Sequence, residues 1–269
     1  MPMLRKLRSV VGSRVTRSQR RQYSKWQEHF DPSWTFTEVM QNLPSENERY
    51  RYFVSWFDNE APNWLREHRA FFVSEKRGFG EDAFHAMWMK LLEQERPKNI
   101  VEIGVYRGQS LSLLGFLASG LEPGSEVWGV SPMSSLGDSV SVYSDSVDYL
   151  GDVCANYEKF CRTLPNLIVA RSQDAIAEEF LKSWEWDLFY VDGSHDYCDV
   201  QRDIDVAAET LRPNGLLVMD DASLYRKFRA PRFAFAGHPG PSKVASDLAT
   251  GEVFQEIGTC GHNRVFRKK

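Results

Sequence analysis

The sequence predicts an α/β protein in which helices cover both faces of an open, largely parallel sheet. A helical segment precedes the sheet and a C-terminal antiparallel hairpin strand closes it. Three observations lead there. From Pro97 onward short apolar runs alternate with helical stretches, the pattern of parallel strands joined by crossover helices. Before Pro97, Trp, Phe and Leu recur at helical spacing. At the end of the chain two apolar runs flank a glycine-bearing turn.

Residues 1–23 carry Arg5, Lys6, Arg8, Arg14, Arg17, Arg20 and Arg21 and no acid. Three readings stay open for this basic arm. It can be solvated and partly helical. It can anchor to anionic lipid, since Leu4, Leu7, Val10, Val11 and Val15 fall about one helical turn apart. It can also be a transit peptide, being Arg- and Ser-rich and poor in acids. Residues 24–97 form a helical extension, with helices expected over Tyr50 to Phe57, Trp64 to Phe72 and Asp82 to Leu92. Pro44, Pro62 and Gly78-Phe79-Gly80 punctuate them. Residues 98–269 form the sheet domain. Its strands are expected at Asn99 to Ile103, Glu126 to Val130, Leu167 to Ala170, Leu188 to Val191 and Gly215 to Met219. Val253 to Ile257 and Arg264 to Arg267 form the hairpin, around a turn of Gly258, Gly261, His262 and Asn263.

A length of 269 residues allows one large domain with an added segment. Apolar residues at 42% and charged residues at 26% belong to an ordinary globular chain. A net charge of -4 argues against nucleic acid as the main partner. No apolar run reaches the ~18–20 residues that span a bilayer, so a cytoplasmic location is expected, with peripheral membrane contact through the arm left open. Homo-oligomerisation is open as well. Cys154, Cys161, Cys198 and Cys260 form no C-x-x-C pair and are expected to be reduced and mostly buried.

The first chemical motif is Glu102-Ile103-Gly104-Val105-Tyr106-Arg107-Gly108-Gln109-Ser110, a strand running into a turn and then a helix. Gly104 and Gly108 permit close backbone approach, and amides at the helix start suit a carboxylate. The spacing G-x-x-x-G differs from the G-x-G-x-x-G of dinucleotide-binding folds. Two glycines required only by a tight strand-to-helix turn would look the same.

The second constellation is Asp192-Gly193-Ser194-His195 together with Asp220-Asp221, each starting where an apolar strand ends. Open α/β sheets bind ligands at that edge. Three crowded carboxylates repel one another unless a cation joins them, and oxygen ligands favour magnesium, with calcium or manganese next. Singly, Asp192 or Asp221 would also serve as a helix or turn cap. His195 follows Asp192 by three residues and has the pKa range of a general base. The other histidines, His29, His68, His85, His238 and His262, are taken as structural, although His238 and His262 lie in late loops near the cleft.

On these motifs, residues 98 to 267 resemble the metal-dependent class I S-adenosylmethionine (SAM)-dependent O-methyltransferases, the catechol group and the family that methylates sugars and antibiotic glycosides. The segment from Glu102 to Ser110 resembles their first motif, E-x-G-x-Y-x-G-x-S. Ser172-Gln173-Asp174 resembles the S-Q-D that contacts the adenine. Asp192, Asp220 and Asp221 match the metal positions, 28 residues separating the first two. The resemblance implies a Rossmann-like class I methyltransferase sheet, with the cofactor on Glu102, Gly104, Tyr106, Gly108, Ser110, Ser131, Ser172, Gln173 and Asp192. It also implies Mg2+ or another hard cation on Asp192, Asp220 and Asp221, and His195 as base where the catechol enzymes place a lysine. One departure stands out. The acid that usually holds the ribose at the end of the second strand is replaced by Ser131, with Asp138 as the nearest substitute.

The expected reaction is in-line transfer of the sulfonium methyl to a hydroxyl of a sugar, glycan or related small molecule. The loop Ser223 to Lys243, with Tyr225, Phe228, Phe233 and Phe235 among Arg226, Lys227, Arg229 and Arg232, is expected to select the acceptor or to be a basic, solvated lid. Two rivals remain. An oxygenase of the cephalosporin-hydroxylase type would keep the fold, and is disfavoured because the usual iron site combines two histidines with one carboxylate. A non-catalytic binding or assembly protein is the other.

Overall fold

A computed structural model describes residues 15–269. The readings placed on Arg5, Lys6, Arg8 and Arg14, and on Leu4, Leu7, Val10 and Val11, fall outside them. The chain runs through α1 (residues 15–24), α2 (Phe36–Asn42), α3 (Glu46–Asn59), α4 (Asn63–Glu75) and α5 (Asp82–Glu95) before β1 (Asn99–Ile103). There follow α6 (Gln109–Leu121), β2 (Glu126–Ser131), α7 (Tyr149–Phe160), β3 (Asn166–Val169), α8 (Ala175–Lys182) and β4 (Trp186–Val191). The last elements are α9 (Tyr197–Thr210), β5 (Leu211–Met219), α10 (Pro239–Leu248), β6 (Phe254–Cys260) and β7 (Asn263–Lys268).

The strands form one sheet in the order β3-β2-β1-β4-β5-β7-β6. The first five are parallel, and β7 pairs antiparallel with both β5 and β6. This is the sheet that the alternating pattern predicts, and the reason lies in the pleat, because successive side chains point to opposite faces. Ile100, Leu188 and Leu216 share one face in register and bury against α2, α3, α5 and α6. Val101, Phe189 and Leu217 share the other and bury against α8, α9 and α10. Both faces are apolar, so the strands read as continuous hydrophobic runs.

The helices before β1 share a core with the sheet rather than standing apart from it. In α1, Arg20 reaches Asp58 at 2.8 Å and also bonds Asp82, while the Tyr23 ring packs edge-on against Tyr50 and Phe233. Residues 15–24 are thus helical, with Arg20 and Tyr23 docked and half of the stretch exposed. A correction concerns the hairpin. Its tight turn is Gly261-His262, where Gly261 adopts a left-handed φ of 59°. Asn263 opens β7. Gly258 lies within β6 at a register shift, because a Cβ there would come within 2.7 Å of Met40 and Phe36 in α2. All four cysteines are free; Cys260 is buried, Cys154 and Cys161 are half-buried and Cys198 is exposed, so fewer are buried than expected. Among the described residues, no helix is long and apolar enough to cross a membrane.

Candidate active site

β1, β4 and β5 stop at one edge of the sheet because Ile103, Val191 and Met219 are paired in register. The ladder continues one residue further. The Asp192 amide donates to the Ile103 carbonyl at 2.8 Å, and the Asp220 amide to the Val191 carbonyl at 2.9 Å. The antiparallel β7 returns to the same edge, where Asn263 Nδ2 donates to Asp220 Oδ1 at 2.7 Å and the Ala222 amide to the His262 carbonyl at 2.8 Å. These groups open onto a cavity of about 880 Å3, a size that suits small-molecule ligands.

Glu102 lies at the floor of this cavity, 1% exposed, with no partner for Oε2. Burial, and Asp220 nearby, hold its pKa well above the usual carboxylate range. A buried carboxylate without a donor is costly, and one facing a cavity fits a cationic ligand group such as the ammonium of an amino acid. Gly104 has a φ of 92°, and a Cβ there would meet the Asp192 carbonyl oxygen at 2.1 Å. Its freedom is thus used first for close approach of β1 to β4. Gly108 caps the start of α6 in a left-handed conformation. The Tyr106 ring packs against Phe79, Tyr143 and Tyr149 at the cavity mouth, and Ser110 lines the wall.

Ser131, Ser172 and Gln173 stand apart from this cavity lining. Ser131 is buried at the end of β2, its carbonyl accepting from the Ala170 amide. Ser172 hydrogen-bonds the buried carboxyl of Asp203 in α9, whose pKa burial pushes up to about 7. Asp138 does not face Ser131's role; it holds His195. One carboxylate oxygen accepts from the His195 amide at 2.8 Å and lies 2.7 Å from Nδ1.

With Nδ1 committed to Asp138, His195 Nε2 points to Asp221 Oδ2 at 3.0 Å. Burial would lower the His195 pKa, but bonds to Asp221 and Asp138 outweigh it and raise the value. Asp221 is likewise held below the usual carboxylate range despite burial, by His195 and His262 beside it. Burial raises the pKa values of both Asp192 and Asp220, and Asp220 beside it raises that of Asp192 further. Tyr190 donates to Asp192 at 3.0 Å. The three predicted carboxylates thus lie at one edge of the sheet, with histidines beside Asp220 and Asp221.

Of three further groups at the site, the sequence reading missed Glu81 and placed His238 and His262 in late loops near the cleft without giving them a role. His262 and His238, taken as structural, line the cavity with Glu81. Ligand atoms of Asp220, Asp221 and His262 lie within 4.8 Å of one another, as do those of His195, Asp221 and His238; Asp192 joins neither tight group. Burial opposes protonation of His262, yet Asp220, Asp221 and Glu81 push its pKa up to about 9. Glu81, bonded by the Tyr50 hydroxyl, is raised by burial. The predicted hairpin carried half of the signal for His262; the other half is the antiparallel pairing of β7 with β5, which sets its first residues next to Asp220. The donor set accordingly includes nitrogen as well as oxygen, where the sequence pointed to oxygen alone. Crowded carboxylates beside imidazoles fit a divalent cation.

Residues 101–222 match the model of a family described as a methyltransferase domain. A search of curated proteins returns no match. Solved structures show the same fold at low identity. An O-methyltransferase from Bacillus cereus, solved with SAH, has a TM-score of 0.54 and 13% identity over 78% of this chain and 93% of that one. A SAH-bound methyltransferase from Podospora anserina has a TM-score of 0.56 and 17% identity over 84% and 98%. An O-methyltransferase of tomaymycin synthesis from Streptomyces achromogenes, solved with SAM, has a TM-score of 0.53 and 14% identity over 84% and 99%.

Proposed function

We propose that the chain transfers a methyl group from SAM to a hydroxyl oxygen of a sugar, glycan or related small molecule; the match of residues 101–222 to a methyltransferase-domain model and the fold shared with SAH- and SAM-bound methyltransferases support this reading. The observation that carries this reading is the pairing, across one cavity, of an unpartnered buried Glu102 with a histidine fixed by Asp138. Glu102 and Asp192 would hold the amino-acid end of the cofactor with Gly104, Tyr106, Gly108 and Ser110, and Ser131, Ser172 and Gln173 its nucleoside end. When bound, SAM supplies an electrophilic methyl on a sulfonium, so the protein need supply only alignment and a place for the proton. A divalent cation on Asp192, Asp220 and Asp221 would lower the pKa of the acceptor hydroxyl.

His195 takes the proton. Asp138 fixes the ring through Nδ1 and Nε2 faces the cavity beside Asp221; to act as base the ring must first give up its Nε2 proton, so activity rises with pH through the raised His195 pKa. Phe84, Trp88, Phe233 and Phe235 give the cavity aromatic faces, and Arg232 gives it a cation, a lining that suits a ring bearing hydroxyls and an acidic substituent. Screening hydroxylated sugars, glycans and phenols with methyl-labelled SAM tests the reading. Label appearing in an ether of the acceptor is expected. Label on nitrogen or carbon alone overturns the oxygen assignment.

One observation favours the oxygenase alternative. His195, His238 and Asp221 bring together two histidines and one carboxylate, the donor set whose absence counted against it. On that reading the protein consumes dioxygen with Fe2+, and His238→Ala abolishes the uptake.

A further inference from the structure

We infer that His262 is a nitrogen ligand of the divalent cation, so that the site takes a first-row transition ion in preference to magnesium. The inference rests on Asp220 and Asp221 as cation ligands and extends that reading to a new residue and a class of ion. His262 is 7% exposed; its Nδ1 pairs with Asp221, and its Nε2 has no hydrogen-bond partner. Buried polar groups are almost always paired, and an exception calls for a ligand or a function. The ring cannot easily turn away, being stacked on Phe84 at 4.6 Å with Phe235 edge-on at 5.9 Å.

Both nitrogens face the carboxylates. Nδ1 is 2.7 Å from Asp221 Oδ1, and Nε2 is 3.6 Å from Asp220 Oδ1. The carboxylates are held in turn, Asp220 by Asn263 Nδ2 at 2.7 Å and the second oxygen of Asp221 by His195 at 3.0 Å. Such outer bonds orient ligands around a metal. One ligand atom from each of Asp220, Asp221 and His262 lies within 4.8 Å of the others, close enough to share one ion. Magnesium prefers oxygen throughout, whereas imidazole with carboxylate suits manganese, iron, cobalt or zinc.

The full chain loaded with Mn2+ can be read by pulsed EPR for nitrogen coupling, and Zn2+ can be titrated against bound Mg2+ by calorimetry. The expected result is an imidazole coupling in the wild type that persists in His195→Ala and His238→Ala and disappears in His262→Gln, with Zn2+ displacing Mg2+ at equal concentration. His262→Gln is expected to weaken Zn2+ about 10- to 100-fold. The wild-type, His195→Ala and His238→Ala spectra decide the matter even where His262→Gln fails to fold. Bound Mn2+ with no nitrogen coupling, or coupling lost in His195→Ala or His238→Ala, overturns the assignment of His262 and leaves the carboxylate site standing. Absence of binding by any of these cations overturns both.

Discussion

His195 is gripped at Nδ1 by Asp138 and faces Asp221 through Nε2, so its orientation and its basicity have separate causes. Replacing it with Ala removes the base while leaving Glu102 and the glycine loop intact. Methyl transfer is expected to fall about 10²- to 10⁴-fold, with SAM affinity unchanged by calorimetry; full turnover in His195→Ala would reject histidine as the base. Asp138→Asn keeps the ring's neighbour but weakens the bond that raises the His195 pKa. The rising limb of its pH–rate profile should therefore move to lower pH. Glu102 carries a different prediction with two signs. Its folded pKa is raised, so its contribution to stability is full below the unfolded carboxylate pKa and is lost as pH rises through the folded value. Glu102→Gln should raise the thermal midpoint of the ligand-free protein at pH 8, yet weaken SAM by about 1.5–3 kcal/mol.

Among the elements, strand ends carry most of the site, and they were also the most legible in the sequence. Apolar runs ending in Asp192 and Asp220 located the C-terminal edge because a strand buried on both faces has no other pattern. His262 and Glu81 were not legible in the same way, since their relation to Asp220 depends on pairing between β5 and β7 and on the docking of α5, contacts distant in sequence. The contact of Asp138 with His195 is illegible for a similar reason: its loop returns to a residue 57 positions away through no local signal, and the sequence offers Asp138 only as a substitute for Ser131. Gly104→Ala tests the approach of β1 to β4. A Cβ 2.1 Å from the Asp192 carbonyl, at a φ of 92°, should cost at least about 2 kcal/mol in denaturant unfolding. Asp203 tests how α9 meets the loop at Ser172. Its pKa rises from 3.8 to about 7 on folding, so the folded state holds a proton that the unfolded state lacks, and stability declines between about pH 4 and 7. Asp203→Asn should gain on the order of 2–4 kcal/mol at pH 8 and nothing below pH 4; equal curves at both pH values would reject the burial argument.

At the scale of the whole molecule, the helices before β1 belong to the same body as the sheet and its cavity. They share the core beneath Ile100, Leu188 and Leu216, and α5 with the loop before it supplies Phe79, Glu81 and Phe84 to the cavity. The loop from Ser223 to Lys243 is tied to them as well. Arg226 bonds Glu46, Asn47 bonds the Arg229 backbone, and Phe228 is buried against Tyr50, so this loop is a fixed wall over much of its length. Phe235 remains exposed beside His238 and His262, where an acceptor would enter. The central claim is that the cavity takes SAM with Ser131 standing where an acid usually holds the ribose. Calorimetric titration of the full-length protein with SAM, with and without a divalent cation, tests that claim most directly. The account predicts saturable binding with one site per chain, weakened in Glu102→Gln; no heat and no thermal shift under either condition would contradict it.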